Sequence, residues 1–181
     1  MKRLFVIFAC IAQILAVSCA KTGVKALQGS YTFKTGGYID FSGKSYNISI
    51  LGDTLNVRDT CFVRTLTPER GQLRVLPSED DGVVITMNVT GGDPVVFTGK
   101  VQDLDIILDR DERAVILTSD EHSLLPDFSN KYILDVCGRG HLYDNTLIFE
   151  LEYSGSYSSA SENLEGKAVS SSVKCIAVKN E

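Results

Sequence analysis

The chain has 181 residues, with 18 Lys and Arg against 23 Asp and Glu and a formal net charge of −5. Hydrophobic residues make up 44% and charged residues 23%, the proportions of one globular domain, which excludes a disordered chain, a collagen-like chain and a polybasic nucleic-acid binder. Two His and no Trp leave little from which to build a His-based metal centre or catalytic site.

The first residues differ from the rest. Lys2 and Arg3 form a basic start, and Leu4 to Val17 is uncharged and apolar except for Gln13. That run is shorter than the roughly 20 residues a membrane-spanning helix needs, and it fits a signal peptide. Ser18-Cys19-Ala20 permits ordinary cleavage after Ala20. Leu15-Ala16-Val17-Ser18-Cys19 also resembles a bacterial lipobox, with Ala rather than Leu three residues before the Cys. The resemblance implies that Cys19 is diacylated and becomes the first mature residue, and two or more acyl chains give stable anchoring. Removing residues 1–18 takes away Lys2 and Arg3 and no acid, leaving 16 basic against 23 acidic residues, a net charge of −7. Such a chain does not favour nucleic acid or anionic lipid, so membrane attachment is expected from the lipid alone. The expected division is a signal peptide over 1–18, a lipid-anchored tether over 19–28 with a helical turn at 24–27, and one domain over 29–181.

Beyond the tether, strand patterns dominate. Tyr31–Phe33 and Tyr38–Phe41 are joined through Gly36-Gly37, and Ser45–Leu51 alternates. Leu55–Thr65 sets Leu55, Val57, Cys61 and Val63 against Asn56, Arg58, Thr60 and Arg64. Pro68–Gly71 reads as a turn, Gln72–Leu76 as a strand and Pro77–Gly82 as an acidic loop. Val83–Val89 alternates cleanly, Gly91-Gly92-Asp93-Pro94 turns, and Val95–Val101 and Leu104–Leu108 follow. Asp109–Glu112 reads as an acidic turn before Ala114–Thr118. Residues 119–130 are irregular. Tyr132–Val136, Leu147–Tyr153 and Lys167–Lys179 complete the strands, with Ser154–Ser161 as a flexible tip. No helical period of a dozen residues follows the signal.

Ten to twelve short strands with tight turns indicate an all-β antiparallel meander, either a barrel or a β-sandwich. Leu27-Gln28-Gly29-Ser30-Tyr31 resembles the Gly-x-Trp opening of lipocalins and other calycins, with Tyr31 in the Trp place. Small exported lipoproteins of Bacteroidetes type with calycin-like barrels share the layout of lipid signal, tether and β-meander. The resemblance implies a barrel with a helical turn before the first strand and an aromatic closing one end.

Of the five Cys, Cys10 falls in the signal and Cys19 in the lipobox, leaving Cys61, Cys137 and Cys175. A Cys61–Cys175 disulfide is one reading, because both stand among Val and Ala; three buried free thiols is the other. Cys137 and His141 have a Cys-x3-His spacing, but a structural zinc site needs four ligands, so a turn carrying a chance His is the better account. Glu79–Asp81 and Asp109–Glu112 lack the ligand spacing of a calcium loop. Glu150 and Glu152 share one strand face and read as solvated. Asn47-Ile-Ser and Asn88-Val-Thr match the glycosylation triplet. No nucleophile elbow, phosphate loop or metalloprotease motif is present, so no catalytic residue, metal or cofactor is assigned.

The expectation is an exported protein of the bacterial envelope, anchored in the outer membrane, whose barrel binds a small apolar ligand or an envelope protein. One alternating face supplies Tyr46, Ile48, Val57, Met87 and Phe97 as candidate lining residues, although the same residues would form a dry core. A β-sandwich adhesion or assembly module is the alternative, and a hydrolase the least supported reading.

Overall fold

Apolar residues recur at every second position through most of the chain, a period that puts them all on one face of a strand. The computed structural model describes residues 23–48, 55–79, 81–119 and 131–181. The expected signal peptide, the lipobox-like run with Cys19, and His122 lie outside the described residues. The strands are β1 (Gly29–Ile48), β2 (Leu55–Leu66), β3 (Arg70–Pro77), β4 (Gly82–Val89), β5 (Val95–Gln102), β6 (Asp105–Thr118), β7 (Lys131–Tyr143), β8 (Thr146–Ser154), β9 (Ser156–Ser159) and β10 (Leu164–Lys179).

The hydrogen-bonded order β1-β3-β4-β5-β6-β7-β8-β10 returns to β1, because β10 pairs with β1 from Tyr31↔Lys179 to Ser45↔Leu164. An even number of antiparallel strands closes without a parallel joint. The fold is therefore an all-β barrel rather than a sandwich. At the upper end β1 and β10 run beyond the ring, β2 pairs with the extension of β1, and β9 with that of β10. The lower end carries the β3–β4, β5–β6 and β7–β8 turns and a short helix, α1, over 23–27.

Inside, Phe33, Leu73, Ile85, Ile106, Leu134, Leu147 and Phe149 are buried. Helix α1 covers the lower end: Leu27 is fully buried, and the Tyr31 hydroxyl donates to its carbonyl oxygen at 2.6 Å. The Lys179 ammonium donates to the Ala26 carbonyl oxygen at 3.0 Å. Residues 23–28 therefore pack against the barrel.

Several expected turns are strand interior. Gly36-Gly37 lies within the single long strand β1. A Cβ at Gly37, where φ is +145°, would stand 2.1 Å from the Ser172 carbonyl oxygen, so glycine here serves the close approach of β10. Gly138-Arg139-Gly140 continues β7, and Ser156–Ser159 is paired as β9 instead of forming a loose tip. Asp109–Glu112 belongs to β6. Between Leu108↔Gly138 and Asp111↔Val136, β6 uses one residue more than β7. Such a bulge shifts the inward face by one position: Ile106 and Leu108 point inward before it, and Arg113, Val115 and Leu117 after it. A second shift, opposite Asp40/Phe41, leaves Val169 of β10 unpaired and exposed.

In β2 the expected face is inverted. Phe62, Arg64 and Leu66 turn inward, while Val57, Cys61 and Val63 are exposed.

Candidate functional site

The candidate ligand residues do not share one surface. Met87 and Phe97 are buried in the core. Val57 is 46% exposed on β2, and Tyr46, its register partner on β1, hydrogen-bonds through its hydroxyl to exposed Glu165. The side chain of Ile48 lies outside the described residues. Met87 and Phe97 line a cavity with Leu73, Ile85, Leu108, Phe149, Leu151 and Cys175. Its volume is about 10 Å³, near the space one water requires. The barrel interior is a packed core.

The cysteines are free. Cys61 pairs in register with Ser42, on one side of β1, and Cys175 with Thr35, on the other. Ser42 and Thr35 stand roughly 23 Å apart along the strand at about 3.3 Å per residue, far beyond the reach of a disulfide. Cys61 is exposed, Cys137 half-buried and Cys175 buried. The expected Cys61–Cys175 bridge is therefore corrected. Its cause is the register, which sets the two cysteines against positions of β1 seven residues apart. Burial pushes the Cys175 thiol up to about 12, which keeps it protonated and inert.

Cys137 and His141 both face outward on β7, roughly 13 Å apart at strand spacing, and cannot share an ion. His141 Nδ1 contacts Asp105, and its ring lies 4.3 Å from that of Tyr143. Among the described residues, no group of three or more His, Cys, Asp or Glu is placed to hold a metal ion. Glu150 and Glu152 are exposed on the outer face, with Glu150 3.5 Å from Lys174.

The polar centre of the barrel was not anticipated. The β6 bulge turns Arg113 inward, where its side chain is 3% exposed and pairs with Glu69 from the turn before β3. Thr35 fixes that turn: its N–H donates to the Glu69 carbonyl at 2.8 Å, and its hydroxyl accepts from the Glu69 N–H at 3.1 Å. Arg113 Nε and Nη1, the Tyr153 hydroxyl and the Thr67 hydroxyl are buried without a hydrogen-bond partner among the described residues. Burial raises the Tyr153 hydroxyl to about 12, with the Arg113 charge working against the rise and Glu69 adding to it. The pair bridges the wall where β6 is paired to β5 only through Leu108 and to β2 only from Leu117.

A second polar group closes the upper end. Arg64 Nε donates to the Tyr157 hydroxyl at 3.0 Å, that hydroxyl donates to Glu162 at 2.6 Å, and Arg64 also pairs with Glu162. The Arg64 guanidinium lies 4.9 Å from the centre of the Phe62 ring and 5.0 Å from that of Tyr157, within cation–π range. Phe41 stacks on Phe62, and Tyr132 on Tyr157. These side chains join β1, β2, β7 and β9 where the ring of backbone hydrogen bonds is interrupted.

Among the described residues the sheet has an unpaired margin there. Among the described residues, β2 pairs with β1 throughout but with β6 only at Thr65 and Leu66. Leu55–Arg64 is thus an edge among the described residues, with Val57, Cys61 and Val63 exposed along it.

Comparison with protein-family models gives no match, and neither does comparison with characterised proteins. Among the described residues no helix is long and apolar enough to cross a membrane.

Proposed function

We propose that the protein is exported, anchored in the bacterial outer membrane through acylated Cys19, and binds an envelope protein through the free edge of β2. The observation that carries this reading is that edge, unpaired among the described residues. An unpaired strand offers its N–H and C=O groups to an added strand, and the exposed Val57 and Val63 supply apolar side chains beside them. The closed meander, helix α1 and buried Tyr31 support grouping the domain with calycin-like barrels. Its packed interior separates it from barrels that carry cargo. A small apolar ligand has less support, since the cavity beside Met87 and Phe97 is about 10 Å³.

Cys61 stands on the edge and is exposed, so it takes a photo-crosslinker directly once Cys137 is changed to Ser. The expected result in intact cells is one discrete crosslinked envelope protein from Cys61 and none from a Val96→Cys control on the outer face of β5. Equal capture from both positions, or none from Cys61, would overturn the edge. The anchor is tested separately: Cys19→Ser should release the protein from membranes, and continued membrane association would count against acylation.

A further inference from the structure

We infer that the lower rim of the barrel rests in the headgroup region of the bilayer, with Leu104 and Tyr143 as its contacts. The inference builds on the acylation of Cys19 proposed above.

Distance supplies the first argument. The backbone of Gly23 packs on the β5–β6 turn so closely that a Cβ there would stand 1.9 Å from the Asp103 carbonyl oxygen. Four residue steps separate Cys19 from Gly23, and they span about 14 Å at most at full extension. However residues 19–22 are arranged, an acyl-anchored Cys19 holds the β5–β6 turn within that distance of the lipid.

The rim itself supplies the second argument. Leu104, in the turn that Gly23 packs on, is 40% exposed, and Tyr143, at the end of β7, is 59% exposed. Their backbones are adjacent, because the Leu142 N–H donates to the Leu104 carbonyl at 3.1 Å. An apolar side chain and a tyrosine at the point where a lipidated chain leaves the fold match the composition of a membrane interface. Glu79, Asp81, Asp103, Asp105 and Asp144 stand at the same end against Lys25 and Lys179, so the occupant is a zwitterionic headgroup layer rather than an anionic one. The arrangement also sends the free edge of β2 away from the membrane. Roughly 55 Å of strand separates Gly29 from Tyr46, the register partner of Val57, at about 3.3 Å per residue.

The chain contains no Trp, so Leu104→Trp and Tyr143→Trp each introduce a unique probe, with Val57→Trp as the control at the far end. The acylated full-length variants are reconstituted into phosphatidylcholine vesicles containing nitroxide-labelled lipid, and each preparation is weighed by mass spectrometry. Quenching at least twofold stronger for the two rim variants than for Val57→Trp is expected. Equal quenching at both ends in protein of acylated mass would overturn the rim contact and leave the anchor standing. A mature mass without acyl groups would overturn the anchor, and the rim contact with it.

Discussion

Arg113 of β6 and Glu69 of the turn before β3 form an ion pair across a stretch of wall where, among the described residues, β6 is paired to β7 alone. The partners are unequally buried: the Arg113 side chain is 3% exposed and that of Glu69 23%. Removing the carboxylate strands a buried guanidinium whose Nε and Nη1 already lack partners among the described residues. Removing the guanidinium leaves a carboxylate that reaches water. Glu69→Ala is expected to cost about 3 kcal/mol or more, the range for an uncompensated buried charge. Arg113→Leu should cost less, and the double variant less than Glu69→Ala alone. Urea denaturation of the four proteins checks this order, and an equal loss for the two single variants would refute it.

How this pair escapes a reading of the sequence is instructive. Ile106 and Leu108 fall on even positions, Val115 and Leu117 on odd ones, so the change of parity marks the bulge. Asp109–Glu112 hides it, because four charged residues also look like a turn. Once the bulge is placed, Arg113 shares the face of Val115 and Leu117. β4 shows the contrary case: Val83, Ile85 and Met87 alternate without interruption and are all buried as expected. In β2 the odd positions carry Val57, Cys61 and Val63, and the even ones Phe62, Arg64 and Leu66. Apolar content alone favours the odd face. The even face is buried because Phe62 stacks on Phe41 and Arg64 finds Tyr157 and Glu162, partners distant in sequence. A slip of one position inverts a whole strand, so the pattern alone points Val57 and Cys61 to the interior.

That inversion has a direct chemical readout. With Cys61 exposed, Cys137 half-buried and Cys175 buried, a maleimide added to native mature protein should modify Cys61 first, Cys137 more slowly and Cys175 only on unfolding. Intact mass before and after reduction should show the same number of reactive thiols. A Cys61 that labels only after reduction would contradict the register of β2.

Gly140 tests the packing of the core. It faces inward on β7, and a Cβ there would lie 2.4 Å from the ring of Phe149, which also borders the small cavity. Gly140→Ala should therefore destabilise the barrel by about 1–3 kcal/mol, the usual cost of overpacking. Adding Phe149→Leu should recover part of the loss, although Phe149→Leu alone is destabilising. Thermal or urea unfolding of the double-mutant cycle reads the coupling, and strictly additive losses would show that the ring does not occupy that space.

Alkaline pH addresses the same interior through its protons. Burial raises Cys175 from 9.0 to about 12 and Tyr153 from 10.0 to about 12. Tyr157 is raised further, first by burial and then by donating its proton to Glu162. In each case the folded state holds the proton more tightly than the unfolded chain does. Stability is then fully present below pH 9 and falls as pH rises toward 12, because unfolding releases protons throughout that window. Each unit of separation corresponds to about 1.4 kcal/mol. Cys175→Ala removes the group that begins to titrate first, so its stability should stay level from pH 9 to about 10, where the wild type already declines. Urea midpoints measured from pH 7 to 11 distinguish the two curves. Parallel curves would mean that Cys175 titrates as an accessible thiol, in conflict with its burial between β1 and β8.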